Sequence, residues 1–222
     1  MAPALSDIET WVFDLDNTLY PAASNLFLQV DRRINLFVQR FLRMDEATAR
    51  ATQRRMFQEH GSTLKGLMDL HGLEPAEYLE YVHDIDLGAI SPDAPLAAAL
   101  DRLPGRKLVF TNGSVPYAGR VLERIGIRQR IEAVFAIEDS DYLPKPDPRP
   151  YQRLIERHGV VPGRAAMVED IVRNLEPAAK LGMATIWVPP LPPAADAPAP
   201  AAYVQHVAPD LPRFLADIAA PG

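Results

Sequence analysis

Short runs of strand-forming residues alternate with helical segments along most of the chain, and this alternation strongly restricts the possible folds. From Asp93 onward, helical segments separate four apolar runs: "KLVFT", "AVFAI", "AAMV" and "ATIWV". Strands joined by helices lie parallel in one sheet that is covered by helices on both faces. An earlier run at Val12 and Phe13 has the same character. The sequence therefore predicts an α/β fold with a doubly wound, Rossmann-like parallel sheet.

The residues between the first strand and the later ones show helical periodicity instead. Apolar residues recur there at spacings of three and four, and Ser24 is the expected N-cap of the first helix. Three further helices are predicted at Glu46 to His60, Thr63 to His71 and Pro75 to His83. We therefore predict an α/β core domain of residues 1–20 and 91–222, with an all-helical cap domain of residues 21–90 inserted into it.

Composition excludes several functional classes. The 222 residues carry a formal net charge of -6, which argues against nucleic acid or an anionic membrane as the main partner. The chain contains no cysteine, so disulfides, thiolate metal sites and cysteine nucleophiles are excluded. It starts without a basic, apolar leader and has no run of about eighteen apolar residues, so we expect a cytoplasmic protein. The sequence does not indicate the oligomeric state.

Polar residues follow four of the predicted strands or their connections. They are Asp14 and Asp16, then Thr111, Asn112 and Gly113, then Lys145, and finally Glu169 and Asp170. Ligands of doubly wound sheets bind outside the carboxyl ends of the strands, so these residues are expected to meet at one edge. Each group by itself is also explained by ordinary turns and helix caps. Their convergence on one edge favours a shared site.

The chemistry of these side chains is complementary. Asp14 and Asp16 point the same way if the strand geometry continues, and two such charges 4 Å apart repel by about 4 kcal/mol at an effective dielectric near 20. Several carboxylates can hold a hard divalent cation, and Lys145 adds a point charge. Thr111 offers a hydroxyl, and the N–H groups of Asn112 and Gly113 can approach phosphate oxygens. Such a set suits a phosphate ester.

In chain order, "DLDNT", "TNG", the lysine of "KPDP" and the acid pair of "VED" resemble the haloacid dehalogenase superfamily of phosphohydrolases. The resemblance implies that Asp14 attacks phosphorus and becomes an aspartyl phosphate. It implies that Asp16 acts as general acid and then as general base, while its backbone carbonyl binds Mg²⁺. Asp170, with Glu169 directly or through water, completes the metal site. The phosphate is expected to be bound by Thr111, Asn112, Gly113 and Lys145.

Within that superfamily, "DLDNTLYP" followed by a large helical cap resembles the pyrimidine 5'-nucleotidase branch, as do "FTNG" and "MVEDIVRNL". The resemblance implies pyrimidine nucleoside 5'-monophosphates, such as UMP and CMP, as the substrates. The alternatives are a general small-molecule or sugar-phosphate phosphatase and an inactive phosphate-binding protein. True dehalogenases need no metal and usually lack the second aspartate, which is present here as Asp16. Ile171 departs from the pattern, because relatives often have a small residue there.

Several other residues are interpreted as structural. His60, His71 and His83 lie near the C-terminal ends of predicted helices, where they are expected to interact with the helix dipole rather than with a ligand. Met56 and Phe57 are expected in the apolar core of the cap. These residues are therefore not assigned to the active site.

Two parts of the chain give little functional information. No residue of the predicted cap indicates how a substrate is selected, and Tyr20, Asn25 and Tyr117 are candidates only because they lie near the motifs. The segment 189–200 is rich in proline and alanine and is predicted to form an extended loop without an assigned role.

Overall fold

The computed structural model describes residues 3–190 and 201–219, and a parallel β-sheet lies at its centre. The strands are β1 (Thr10–Phe13), β2 (Arg106–Phe110), β3 (Ala133–Phe135), β4 (Ala165–Glu169), β5 (Ala184–Trp187) and β6 (His206–Val207). Their order in the described sheet is β3-β2-β1-β4-β5-β6, and all neighbouring pairs are parallel. The predicted α/β fold is therefore confirmed, with β1 in the middle between β2 and β4.

Four helices follow β1. They are α1 (Leu26–Leu42), α2 (Glu46–His60), α3 (Thr63–His71) and α4 (Pro75–His83), and they are called the cap below. The bounds of α2, α3 and α4 are those predicted. The prediction that Ser24 occupies the N-cap of α1 is wrong, because Asn25 takes that position in a left-handed conformation. Ser24 belongs to the preceding turn, although its hydroxyl still accepts a hydrogen bond from the N–H of Leu26.

The cap has an apolar core of its own. Phe37, Leu67, Leu79 and Met56 are buried in it together with other residues of all four helices, which confirms the prediction for Met56. The first turns of α1 pack against the apolar cluster of the sheet instead. The predicted limits of the cap domain, residues 21–90, stay a prediction.

Five helices of the described chain cover the sheet. They are α5 (Ala94–Arg102), α6 (Val115–Arg124), α7 (Pro148–His158), α8 (Val172–Leu181) and α9 (Leu211–Ile218). On β1, Trp11 and Phe13 belong to the apolar cluster that includes residues of α5, α6 and α9, whereas Val12 belongs to the cluster with residues of α7 and α8. Side chains alternate across a strand, so a strand covered on both faces consists mostly of apolar residues.

A close contact between the cap and the core depends on a glycine. Gly61 ends α2 with a φ of 81°, which is a left-handed conformation that side chains disfavour. A Cβ at this position would lie 2.9 Å from Cγ of Pro144. Gly61 therefore lets the cap approach the loop that carries Lys145.

Two features of the C-terminal part complete the fold. The short strand β6 was not predicted, because two residues at the edge of a sheet do not form an apolar run. The predicted extended loop at 189–200 falls almost entirely outside the described residues. Within the described part of the chain, no helix combines the length and the apolar character needed to cross a bilayer.

Candidate active site

The carboxyl ends of the central strands meet at one edge of the sheet, and the predicted site residues lie there. Asp14 follows β1, Thr111 follows β2, and Glu169 is the last residue of β4. The N–H of Asp14 donates to the carbonyl of Val168 at 2.8 Å, which extends the pairing of β1 with β4 by one residue. This bond fixes the point from which the Asp14 carboxylate projects.

Lys145 connects the two acidic strand ends. Its Nζ donates to Oδ1 of Asp14 at 2.6 Å, to Oε2 of Glu169 at 2.6 Å and to the carbonyl of Phe110 at 2.9 Å. The side chain is only 1% exposed. Burial by itself lowers the pKa of Lys145, but the charges of Asp14 and Glu169 outweigh burial and raise the pKa above its ordinary value. Lys145 is therefore a fixed, buried cation.

The turn "TNG" after β2 holds Lys145 in place. Oδ1 of Asn112 accepts a hydrogen bond from the N–H of Lys145 at 2.8 Å, and Nδ2 donates to its carbonyl at 3.5 Å. The N–H of Gly113 donates to Oγ1 of Thr111 at 2.9 Å. A Cβ at Gly113 would lie 2.9 Å from the ring of Tyr117, so the glycine also makes room for that ring. The side chain of Asn112 and the N–H of Gly113 thus have partners within the protein, and the phosphate-binding roles of Thr111, Asn112 and Gly113 stay predictions.

Three carboxylates surround this lysine. One oxygen from each of Asp14, Glu169 and Asp170 lies within 4.8 Å of the others. Burial, followed by the neighbouring negative charges, raises the pKa of Asp14 to about 7 and that of Asp170 to about 10. One lysine thus does not compensate two buried acids, Asp14 and Glu169, and the half-buried Asp170. The donors are all oxygen atoms, which is the set that Mg²⁺ prefers.

Asp16 has different surroundings from those of Asp14. Its Oδ1 accepts hydrogen bonds from the hydroxyls of Tyr20 at 2.5 Å and Tyr117 at 2.7 Å. Burial raises the pKa of Asp16, and the two tyrosine hydrogen bonds oppose this change. Asp16 and Asp14 therefore line the same cavity but differ in their hydrogen-bond partners.

A histidine of the cap packs behind Tyr117. The ring of His83 stacks on that of Tyr117 with 4.3 Å between their centroids, and Nδ1 of His83 lies 3.0 Å from Oγ of Ser114. Burial and the nearby charge of Arg120 lower the pKa of His83 to about 4. The ring of His83 also hydrogen-bonds the backbone of Leu79 in its own helix, and the predicted interaction with the helix dipole stays a prediction.

A cavity of about 340 Å³ extends from the acidic cluster into the cap. Its walls on the cap side are largely apolar. The apolar residues there are Phe27, Val30, Ile34, Phe57, Leu64, Leu79 and Val82. Phe57 is 40% exposed and lies on this wall, so the prediction that it belongs to the core of the cap is wrong. Ile171 lines the cavity on the core side.

Residues 8–182 match the family of haloacid dehalogenase-like hydrolases. The chain belongs to this family. Among curated proteins, it is similar to phosphate metabolism protein 8 of Saccharomyces cerevisiae, with 24% identity over 193 residues. The matched region is 79% of this chain and 60% of the yeast protein, so the chain spans less than two thirds of that relative.

Solved structures of other haloacid dehalogenase-like hydrolases have the same fold. A HAD phosphatase from Thermococcus onnurineus is 21% identical with a TM-score of 0.60, over 94% of this chain and 98% of that one. The L-2-haloacid dehalogenase from Xanthobacter autotrophicus, with chloropropionic acid covalently bound, is 20% identical with a TM-score of 0.57 over the same shares. These neighbours include both phosphatases and dehalogenases, so the likeness establishes the fold alone.

This haloacid dehalogenase-like hydrolase also has polar cavity residues that the sequence did not reveal. Asp31, Gln53 and Tyr78 line the cap side of the cavity. Oδ1 of Asp31 accepts a hydrogen bond from Nε2 of Gln53 at 2.6 Å. Tyr78 is buried, and burial followed by the charge of Asp31 raises the pKa of its hydroxyl above the ordinary value. A signal was present, since Asp31 shares one helical face with the apolar residues Phe27 and Ile34.

Proposed function

We propose that this chain is a Mg²⁺-dependent phosphomonoester hydrolase that forms an aspartyl phosphate on Asp14. The observation that carries this proposal is the presence of two aspartates, two positions apart, in different surroundings. Asp14 lies 2.6 Å from the ammonium of Lys145, whereas Asp16 accepts two tyrosine hydrogen bonds. This difference suits a nucleophile and a separate proton donor.

Hydrolysis then proceeds in two steps. Oδ1 of Asp14 is bonded to Lys145, so Oδ2 is the oxygen that attacks phosphorus. The bond from Oδ2 to phosphorus forms, the ester bond breaks, and Asp16 gives its proton to the leaving oxygen. In the second step water attacks phosphorus, Asp16 takes a proton from that water, and the bond to Asp14 breaks. Inorganic phosphate leaves, Asp14 is again a carboxylate and Asp16 is again protonated.

The charge of the site supports a divalent cation. Asp14, Asp16, Glu169 and Asp170 contribute four carboxylates, and Lys145 is their buried cationic partner. Asp14, Asp170 and the backbone carbonyl of Asp16 would hold Mg²⁺, with Glu169 directly or through water. When bound, the ion would neutralise excess negative charge and polarise the phosphoryl oxygens. Lys145 offsets the remaining repulsion between Asp14 and an incoming phosphate.

A dehalogenase is the second candidate, because solved neighbours of similar fold include L-2-haloacid dehalogenases. That reaction needs a nucleophilic aspartate but neither a divalent cation nor a proton donor for the leaving halide. The site has carboxylates that this reaction does not need, because Glu169 and Asp170 lie beside Asp14 and Asp16 can supply a proton. These carboxylates favour the phosphatase.

For the substrate, we propose a small phosphorylated metabolite and specifically pyrimidine nucleoside 5'-monophosphates. The cavity of about 340 Å³ is at the small end of the range for ligand pockets, which suits one ring better than two. Apolar walls can contact the faces of a base. Asp31, Gln53 and Tyr78 provide donors and acceptors that can bond with its edge. A general phosphatase would show no preference for such an edge.

The test combines metal dependence with a substrate panel. Turnover of 4-nitrophenyl phosphate is expected with Mg²⁺, is lost in EDTA, and returns when Mg²⁺ is restored. The values of kcat/KM for UMP and CMP are expected to exceed those for AMP, GMP and sugar phosphates by about tenfold or more. Equal values would indicate a general phosphatase. Chloride release from 2-chloropropionate in EDTA, without phosphatase activity, would replace the proposal with a dehalogenase.

A further inference from the structure

We infer that Tyr20 and Tyr117 form a positioning pair that fixes the carboxylate of Asp16 for proton transfer, an inference that rests on the proposed phosphatase activity. The hydroxyl of Tyr20 donates to Oδ1 of Asp16 at 2.5 Å, and that of Tyr117 donates to the same oxygen at 2.7 Å. The two hydroxyl oxygens lie 3.5 Å apart. Both tyrosine side chains are buried. One oxygen of Asp16 is therefore anchored from two sides.

The other carboxylate oxygen is left for the reaction. Oδ2 of Asp16 makes no hydrogen bond with the described residues, and Asp16 lines the cavity that contains Asp14. Proton transfer needs an oxygen within hydrogen-bond reach of the leaving group and in a fixed orientation. Asp16 lies in a turn after β1 rather than within a strand, so the backbone alone does not hold its side chain. The tyrosine pair supplies the missing constraint.

The two tyrosines approach from different parts of the fold. Tyr20 lies four residues after Asp16, whereas Tyr117 lies on α6. The ring of Tyr117 is held in turn by His83, which stacks on it at 4.3 Å and contacts Ser114. His83 ends α4 of the cap and Ser114 precedes α6 of the core. The orientation of Asp16 therefore depends on the packing of the cap against the core.

The test separates positioning of the proton donor from general structural support. Tyr20→Phe and Tyr117→Phe each remove one hydroxyl and keep the ring. Each variant is assayed with 4-nitrophenyl phosphate, whose leaving group departs without a proton, and with a simple alkyl phosphate, whose leaving alkoxide requires one. The ratio kcat/KM reports the steps up to ester cleavage, so it isolates the first proton transfer.

Each variant is expected to lose about tenfold or more in kcat/KM for the alkyl phosphate, a part of the general acid contribution of about 10² to 10⁴. The loss for 4-nitrophenyl phosphate is expected to be much smaller. Asp16→Asn removes the proton donor itself, so the difference in kcat/KM loss between the two substrates should be larger still. Inhibition by inorganic phosphate should keep the wild-type Ki, because each substitution removes only a hydroxyl that bonds Asp16 and keeps the Tyr117 ring that packs beside Gly113.

Tyr151→Phe is the matched control. Tyr151 is equally buried, and its hydroxyl donates to the backbone carbonyl of Asn174 at 2.6 Å rather than to Asp16. This variant should show the same ratio of the two kcat/KM values as the wild type. The inference would be overturned if Tyr20→Phe and Tyr117→Phe lost equal amounts of kcat/KM with both substrates. It would also be overturned if either variant turned over the alkyl phosphate faster than the wild type, or if both variants failed to fold. Absence of wild-type turnover with either ester would instead refute the proposed function.

Discussion

Replacement of Lys145 by methionine tests the electrostatic account of the site. Methionine has a similar length, so the change removes the charge and little volume. The lysine bonds Asp14 and Glu169 at 2.6 Å, and the side chains of all three are less than a tenth exposed. Loss of one partner of a buried ion pair costs about 3 to 5 kcal/mol, because the other charge remains buried without compensation. For a chain of this size, that corresponds to a decrease in Tm of about 6 to 20 °C.

The control is Lys180→Met, which breaks an exposed pair. Lys180 and Glu176 lie 2.7 Å apart, but their side chains are 73% and 45% exposed, and such pairs contribute about 0 to 1 kcal/mol. Both variants are unfolded in urea in the presence of EDTA at pH 5 and pH 8. The loss in Lys145→Met is expected to be larger at pH 8, which lies above the pKa of about 7 of Asp14, and to shrink when Mg²⁺ is added. A loss no larger than that of Lys180→Met at both pH values would refute the reasoning.

Three further predictions concern Asp170, Gly61 and Tyr78. The folded state holds a proton on Asp170 up to a pKa of about 10, whereas the unfolded chain releases it near 3.8, so the free energy of unfolding in EDTA falls as pH rises between these values. Asp170→Asn removes this slope, so its melting temperature in EDTA should exceed that of the wild type more at pH 8 than at pH 5, and Mg²⁺-dependent activity should be lost. Gly61→Ala should lower the free energy of unfolding in urea by more than about 1 kcal/mol, because its Cβ would meet Pro144. Gly72→Ala should lower that free energy by less, because its Cβ would meet nothing within 4 Å. Tyr78→Phe should lower kcat/KM for UMP by up to about tenfold, and by less for 4-nitrophenyl phosphate, if its hydroxyl bonds the base; equal decreases would contradict that role.

Much of the fold could be predicted because local signals agreed with it. Gly61 and Gly72 end their helices in the left-handed conformation that glycine tolerates, so the bounds of α2 and α3 were readable. The strands were readable because both faces of the sheet are covered, which requires uninterrupted apolar runs such as Val12 and Phe13. Parallel order then brought Asp14 and Lys145 together, although they lie 131 positions apart.

The contacts around Asp16 could not be predicted in the same way. Its bond with Tyr117 joins residues 101 positions apart, and no local pattern distinguishes that tyrosine from one that merely packs. His83 looked like an ordinary helix-terminal histidine, and only tertiary packing reveals that it is buried against Tyr117. The sequence also did not reveal that the side chain of Asn112 bonds the backbone of Lys145. Such partners depend on how the cap and the loops pack against the sheet.

The most direct measurement for the central claim is detection of the phosphoryl group on Asp14. Asp16→Asn is mixed with Mg²⁺ and 4-nitrophenyl phosphate, quenched in acid and analysed by peptide mass spectrometry, since this variant forms the intermediate but hydrolyses it slowly. We predict the added mass of one phosphoryl group on the peptide that contains Asp14, and no such mass when Asp14→Asn is combined with Asp16→Asn. Sustained turnover by Asp14→Asn, or phosphorylation of another residue, would contradict the account.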